Sequence, residues 1–316
     1  MKKIATLLLS LGLLSVGCYR VPERIEPEVN YSVQDKYLKS LPSAFPPLSG
    51  EEKREPWGQE YMIGQRFAEN LDLYRAITTF KRAEILLPPG QVSRLEEIQY
   101  QILLSYYLGK RYEDVIHEFT YSTLYAATPS FPAYHDLLVI MYESYIEVGN
   151  TEKADYVFRV IEHHYPGTAK KLELSTLLIE GDLEGLREAE RQTQEKSTLT
   201  TLLENYDAKK KSESKAQTLN AILPGAGYLY VGQKQSALTA ALLNGLFIWA
   251  AVHFYSNGHL AAGIITTSFE AGWYFGGIYG AGESAKLYNE RLYEEHAYPI
   301  LKQEKLFPTF QLKFGF

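Results

Sequence analysis

Cysteine is almost absent: the 316-residue chain has one, Cys18. A lone cysteine forms no internal disulfide, which excludes a disulfide-stapled fold. Basic residues are not in excess, with 32 Lys and Arg against 38 Asp and Glu and a formal net charge of −6. That balance gives no electrostatic footprint for nucleic acid. His-Glu-x-x-His, Gly-x-Ser-x-Gly and paired catalytic carboxylates are missing, which argues against an enzyme. His163 and His164 are adjacent and point to different helical faces. His253 and His259 have no carboxylate or cysteine beside them, so neither pair builds a metal site. The expectation is no cofactor and no metal. Charge is also missing locally: Gln235–Gly282 holds one charged residue, Glu270.

That stretch contains two apolar segments, Ser236–Ser256 and Leu260–Gly282, each about 20 residues and so long enough to cross a bilayer as a helix. Asn257-Gly258-His259 between them is a tight turn signal, and Ser236 can N-cap the first helix. The helices must then be antiparallel neighbours. Gly272, Gly276 and Gly280 recur every four residues, as do Ala237, Ala241 and Gly245. Such small faces predict close packing within the hairpin and also allow self-association. Folding about the turn puts Glu270 level with Asn244 and Gly245. A mid-bilayer carboxylate costs roughly 2.5–3.5 kcal/mol, so an intramembrane Asn244–Glu270 hydrogen bond is expected. The lead-in Pro224-Gly225-Ala226-Gly227-Tyr228-Leu229-Tyr230-Val231-Gly232 resembles the Pro-Gly-x-Gly-x-x-Tyr-x-Gly opening of small bacterial two-helix membrane modules of the TM2 type. Such modules supply no chemistry to carry over. Gly227-x4-Gly232 is not a phosphate loop, because no strand precedes it and the lysine is displaced by one.

At the other end, Lys2-Lys3, the apolar Ile4–Leu14 and the small Ser15-Val16-Gly17 read as a secretory signal over residues 1–17. Cys18 follows at once. The arrangement resembles a bacterial lipoprotein signal, although Ser15 stands where Leu is commonest; it implies that Cys18 is lipidated and becomes the first residue. Loss of two lysines takes the net charge from −6 to −8. Tyr19 in place of Asp favours the outer membrane over the inner. Six prolines in residues 19–56, with interleaved charge, predict an extended tether over 18–56.

From Trp57 to about residue 190 the pattern is helical and repeated. Gly64-x2-Phe67 is followed by Ala76-x3-Phe80-x2-Ala83-x4-Pro88, then Leu103-x2-Tyr106 by Tyr112-x2-Val115-x3-Phe119. A third unit holds Tyr142-x2-Tyr145-x3-Gly149 and Ala154-x3-Phe158-x2-Ile161-x4-Pro166, and a degenerate fourth runs through Leu174, Gly181, Leu183 and Leu186. This looks like tetratricopeptide repeats. Ala76, Val115 and Ala154 stand 39 apart, against about 34 in the usual repeat, so loops such as Thr128–Pro132 must be long. The run Phe158–Ala169 resembles repeats of periplasmic outer-membrane-assembly and cell-division-coordination lipoproteins, which implies a scaffold that holds partner proteins. Tyr100, Tyr107, Tyr134 and Tyr142 are candidates to line its concave face, tyrosine giving contact area and a hydroxyl at low entropy cost. Tyr106 and Tyr145 read as core.

Residues 191–216, with Lys209–Lys211 and Lys215, read as a charged linker helix; these lysines meet either lipid phosphate or solvent. The hairpin region is 217–290, and Glu283–Tyr298 has helical character. In the tail, 291–316, Phe310, Leu312, Phe314 and Phe316 alternate like a strand, which either adds to a partner's sheet edge or packs on the chain's own helices. One conflict arises: a lipid on Cys18 places the lysine-bearing flanks of the hairpin outside the cytoplasm, against the positive-inside rule. The fold expected is all-α, a tetratricopeptide-like helical solenoid followed by a Gly-rich two-helix membrane-type hairpin. The function expected is non-enzymatic scaffolding in envelope biogenesis, facing the periplasm, with a protein partner, membrane lipid and a possible homo-oligomer. The alternative is an oligomeric pore or export component formed by the hairpin.

Overall fold

The computed structural model describes residues 21–29, 35–191 and 198–316; Cys18 and the signal segment lie outside them. The fold is all-helical, with no strand among the described residues and one isolated parallel bridge, Ser43 to Gly315. The helices are α1 Asp35–Leu38, α2 Pro56–Glu69, α3 Leu73–Leu86, α4 Val92–Leu108, α5 Tyr112–Tyr121, α6 Tyr134–Glu147, α7 Thr151–His164, α8 Pro166–Glu180, α9 Leu183–Arg191, α10 Thr198–Lys209, α11 Glu213–Ile222, α12 Ala226–Val231, α13 Lys234–Ser256 and α14 Leu260–Gln303. Their described residues fall into two compact units, one within 35–176 and 300–316, the other within 21–29 and 177–299. None of the three points where the chain passes between the units coincides with an expected domain boundary. The expected fourth pair, α8 and α9, is divided between Thr176 and Leu177.

In the unit of residues 35–176 and 300–316, helices α2 to α7 pack each against the next in sequence. Small residues sit where the helices cross. Ala76, Ala83, Val115 and Ala154 are fully buried, and a Cβ on Gly64 would lie 2.7 Å from the Phe80 ring. Asp72 and Asn150 cap α3 and α7 by accepting from the backbone N–H three residues on. Helix α7 ends at His164, just before Pro166, and Pro166 opens α8, where its missing N–H leaves no bond unmade.

The described part of the expected tether is packed. Leu48 lies in the core, with Leu41, Ala44 and Phe45 against it. Arg94 of α4 holds this segment: its guanidinium donates to the Pro46 carbonyl at 2.9 Å and to Glu52 at 2.8 Å, and pairs with Glu97 at 2.5 Å. Prolines lack the N–H that helices need, so the segment crosses the helical surface through carbonyls and side chains. The tail also stays on its own unit. Pro308–Gln311 is a 3-10 turn, Tyr37 donates to the carbonyls of Phe310 and Leu312 at 3.0 Å, and Asp136 accepts from the N–H groups of Lys313 and Phe314 at 2.9 and 2.8 Å. The expected strand does not form.

In the other unit, α13 matches the first apolar segment. Its N-cap is Gln233, so Ser236 falls inside the first turn. The second apolar segment runs on without a break into the charged helix, giving a single helix of 44 residues. Asn257–His259 makes the turn, with Gly258 at φ +78°. The expected linker helix is interrupted between α10 and α11, where Asn289 of α14 accepts from the Lys211 N–H at 2.7 Å and donates to its carbonyl at 2.8 Å.

Candidate functional site

Two surfaces stand out, one in each unit. The first is a groove of about 360 Å³ walled by α5, α6 and α7 and the 3-10 turn Thr123–Ala126. Tyr125 and Tyr156 stand on its rim, 68% and 65% exposed. Tyr134 is half-buried, and Leu138, Met141 and Val160 complete an apolar lining. Lys153 brings the positive charge, its ammonium 5.4 Å from the centre of the Tyr145 ring. Burial pushes the Tyr134 and Tyr145 hydroxyls above their ordinary range, so both stay protonated donors at neutral pH. The lining is apolar and aromatic, with the Lys153 ammonium and the tyrosine hydroxyls as its polar groups.

Of the four tyrosines expected on this surface, only Tyr134 is there. Tyr100 is 0% exposed and forms an aromatic cluster with Phe45 and Phe131 at 5.7 and 5.9 Å. Tyr107 is buried and donates to the Glu143 carboxylate. Tyr142 is buried, 3.1 Å from the Thr176 hydroxyl. They were expected on the concave face because tyrosine suits binding, but they occupy the inner faces of α4 and α6. Tyr145 is core, as read. Nothing in the spacing set Tyr125 and Tyr156 apart from the other tyrosines of this half of the chain.

A second polar arrangement was also invisible in the spacing. His135 Nδ1 lies 2.7 Å from Asp136 Oδ1, and His135 Nε2 lies 2.9 Å from the Thr168 hydroxyl. The acid–imidazole–hydroxyl order resembles a catalytic relay. Here Asp136 Oδ2 takes two backbone N–H groups of the tail, so the relay works as a clasp on residues 313–314.

The other surface is the hairpin. Leu238, Leu242, Leu246, Trp249 and Val252 of α13 are exposed, as are Ile264, Ile265 and Phe269 of α14. Helix α13 is long and apolar enough to cross a membrane, and only 22% of its most apolar stretch is buried. Helix α14 does not meet the same test; Thr266, Thr267, Ser268 and its glycines dilute its hydropathy.

The glycines do not pack as their spacing predicts. The helices meet through Gly263, where a Cβ would lie 2.7 Å from the Tyr255 ring. Gly280 lies under Tyr228 of α12, and Ala237 abuts Gly225. Gly245, Gly272 and Gly276 face open space, and Ala241 is exposed. Every fourth residue of a helix shares a face, but nothing in that rule says which face meets the neighbour. The Asn244–Glu270 hydrogen bond is not formed. Asn244 is 3% exposed and donates to the Ala240 carbonyl at 2.6 Å, while its Oδ1 has no partner. Glu270 is 9% exposed, and neither carboxyl oxygen has a partner.

The lead-in to the hairpin is a close-packed knot. Gly225 at φ +96° ends the turn after α11, and its N–H donates to Asn220 Oδ1 at 2.8 Å. A Cβ on Gly227 would overlap the Ala216 carbonyl oxygen and lie 2.8 Å from the Ala281 methyl. Tyr230 receives the ammonium groups of Lys211 and Lys215, each 5.0 Å from its ring centre. Lys210 pairs with Asp207 at 3.0 Å. No group of three or more metal-ligating side chains occurs among the described residues.

Set against protein-family models, curated proteins and solved structures, the chain matches none of them.

Proposed function

We propose that this chain is a non-enzymatic envelope lipoprotein scaffold, anchored by lipid on Cys18 and by the hairpin α13–α14, with its helical-repeat unit holding a protein partner. The observation that carries the reading is the apolar belt of the hairpin. Large side chains such as Leu242, Leu246, Trp249, Ile264 and Phe269 point outward, while the polar Asn244 and Glu270 are buried. That inverts the order expected in water and suits hydrocarbon. The tetratricopeptide-like reading of α2–α7 rests on small residues at the helix crossings and on serial packing. The groove at Tyr125, Tyr134 and Tyr156 is the favoured seat for the partner segment.

The segment from Val21 supports a shared anchor. A Cβ on Gly282 would lie 2.8 Å from Val21 Cγ2. Further on, the Glu26 N–H donates to Glu290 at 3.0 Å and the Glu28 N–H donates to Glu294 at 2.8 Å. The chain thus runs alongside α14 away from the hairpin, with its upstream end at the hairpin base. Three more residues reach at most about 10 Å. A lipid on Cys18 would therefore enter the membrane face that the hairpin enters. This favours the hairpin overriding its lysine-bearing flanks, whose Lys211 and Lys215 are already turned onto Tyr230.

The test is membrane fractionation with alkaline carbonate extraction, on a chain whose residues 1–18 are replaced by a cleavable non-lipoprotein signal. Retention in the pellet supports an embedded hairpin. Release into the supernatant overturns it and leaves Cys18 as the only anchor. The pore alternative draws on the open glycine face, and predicts leakage that depends on the hairpin. A scaffold predicts unchanged permeability, with partner capture lost on Tyr125→Ala and Tyr156→Ala.

A further inference from the structure

A cleft of about 540 Å³ opens between α13 and α14 on one side of the hairpin. Gly272, Gly276 and Gly277 form one wall, Ser236, Thr239 and Ala240 the other, and Asn244 lies within it. A side chain added at Gly272 or Gly276 would meet nothing within 4 Å. Glycine inside a helix costs about 1 kcal/mol relative to alanine. A single hairpin draws no packing from these two residues in return. Trp273 and Phe269 beside them are large and exposed, so the gap is a local groove in an otherwise bulky surface.

Asn244 makes the groove more than a stripe of small residues. Its side chain is almost wholly buried, yet Oδ1 has no partner, and only one hydrogen bond from Nδ2 is made. A buried amide oxygen without a donor is destabilising, the more so in a low-dielectric surround. The group that would satisfy it must supply an N–H or O–H at the depth of the helix wall. A carboxamide carries both an acceptor and a second N–H. Two copies of Asn244 across a two-fold axis satisfy one another, and two glycine walls are equally self-complementary.

We propose that this cleft is the seat of the same hairpin from a second copy of the chain, with α14 glycine faces in contact and the two Asn244 carboxamides paired. The inference rests on the membrane reading above. It places the dimer contact on Gly272 and Gly276, and leaves Gly245, on another side of α13, facing lipid.

The experiment uses the full chain in native membranes. Single cysteines are placed by Gly272→Cys, Gly276→Cys and, as the control position, Gly245→Cys, and the membranes are oxidised. The chain without an added cysteine reports any crosslink through Cys18. Crosslinked dimers through residues 272 and 276, and none through 245, are expected. Adding Asn244→Leu to Gly272→Cys lowers the dimer association constant about threefold, and adding Gly276→Leu lowers it by about tenfold or more. Because residue 276 faces open space, Gly276→Leu leaves the single hairpin intact, which is checked by unchanged helical circular dichroism. Carbonate extraction of the same membranes separates the two readings. Pellet without crosslink overturns the dimer while the membrane reading stands, including the case where a lipid co-purifies in the cleft. Crosslink in extracted protein keeps the pairing and overturns the membrane. Equal crosslinking through residue 245 overturns the assigned face.

Discussion

Gly227 and Gly276 belong to the same glycine-rich stretch, and a methyl group has opposite consequences at each. At Gly227 it meets the Ala216 carbonyl oxygen, the Asn220 Cβ and the Ala281 methyl, all parts of packed helices that cannot swing away. Gly227→Ala should therefore destabilise the knot of α11, α12 and α14 by about 1–3 kcal/mol, the usual penalty for overpacking. Thermal unfolding of the detergent-solubilised chain checks it, and Gly276→Ala, with nothing within 4 Å, should leave the midpoint unchanged or slightly raised. Charge at Arg94 gives a second prediction at this scale. Hydrogen bonding from Arg94 and from the Ser49 backbone holds Glu52 at about 2, below its ordinary 4.5. A depressed carboxyl contributes stability that is complete above its unfolded value and is lost as pH falls through the folded one. Urea midpoints should thus fall between pH 4.5 and about 2, and Glu52→Gln should flatten that limb. Arg94→Ala should lower stability by about 3 kcal/mol at neutral pH, because Glu97 is then left buried without its cation.

At the scale of elements, the helices were legible and their partners were not. Repeated small and aromatic positions located α2 to α7, since a residue at a helix crossing must be small whatever it touches. Tyr100, Tyr107 and Tyr142 misled because tyrosine serves both a core and a surface, and only the neighbours distinguish them. The proline-rich segment and the tail misled for a related reason. Their composition disfavours long helices but does not forbid docking, which depends on single groups far off in sequence such as Arg94 and Asp136. Asp136 gives the prediction of this scale. Asp136→Ala removes the acceptor of the Lys313 and Phe314 N–H groups and leaves the tail held by Tyr37 and the Gly315 N–H bond to Pro42. Hydrogen exchange of residues 310–316 should accelerate while α2–α5 keep their protection. Unchanged exchange in the tail would show that its aromatic packing alone holds it.

For the whole molecule the decisive quantity is the side of the membrane on which each end of the hairpin lies. Helix α13 has 23 residues, about 34 Å at 1.5 Å per residue, enough to take the turn at Gly258 across a hydrocarbon core of about 30 Å. The other end is fixed near Gly282 by Val21 and the knot around Gly227. A lipidated Cys18 has its sulfur in a thioether, so a chain with one added cysteine carries one reactive thiol. With Gly258→Cys, a membrane-impermeant maleimide added to spheroplasts or intact vesicles should fail to label until the bilayer is opened. With Glu283→Cys it should label at once, because the proposed anchor puts residue 283 on the lipid-bearing side and its carboxylate is not buried. Immediate labelling at both positions would mean that the hairpin dips into one leaflet or lies on a protein surface. The apolar belt of Leu242, Trp249, Ile264 and Phe269 would then be the contact of a partner complex, since exposed side chains of this size need a cover other than water.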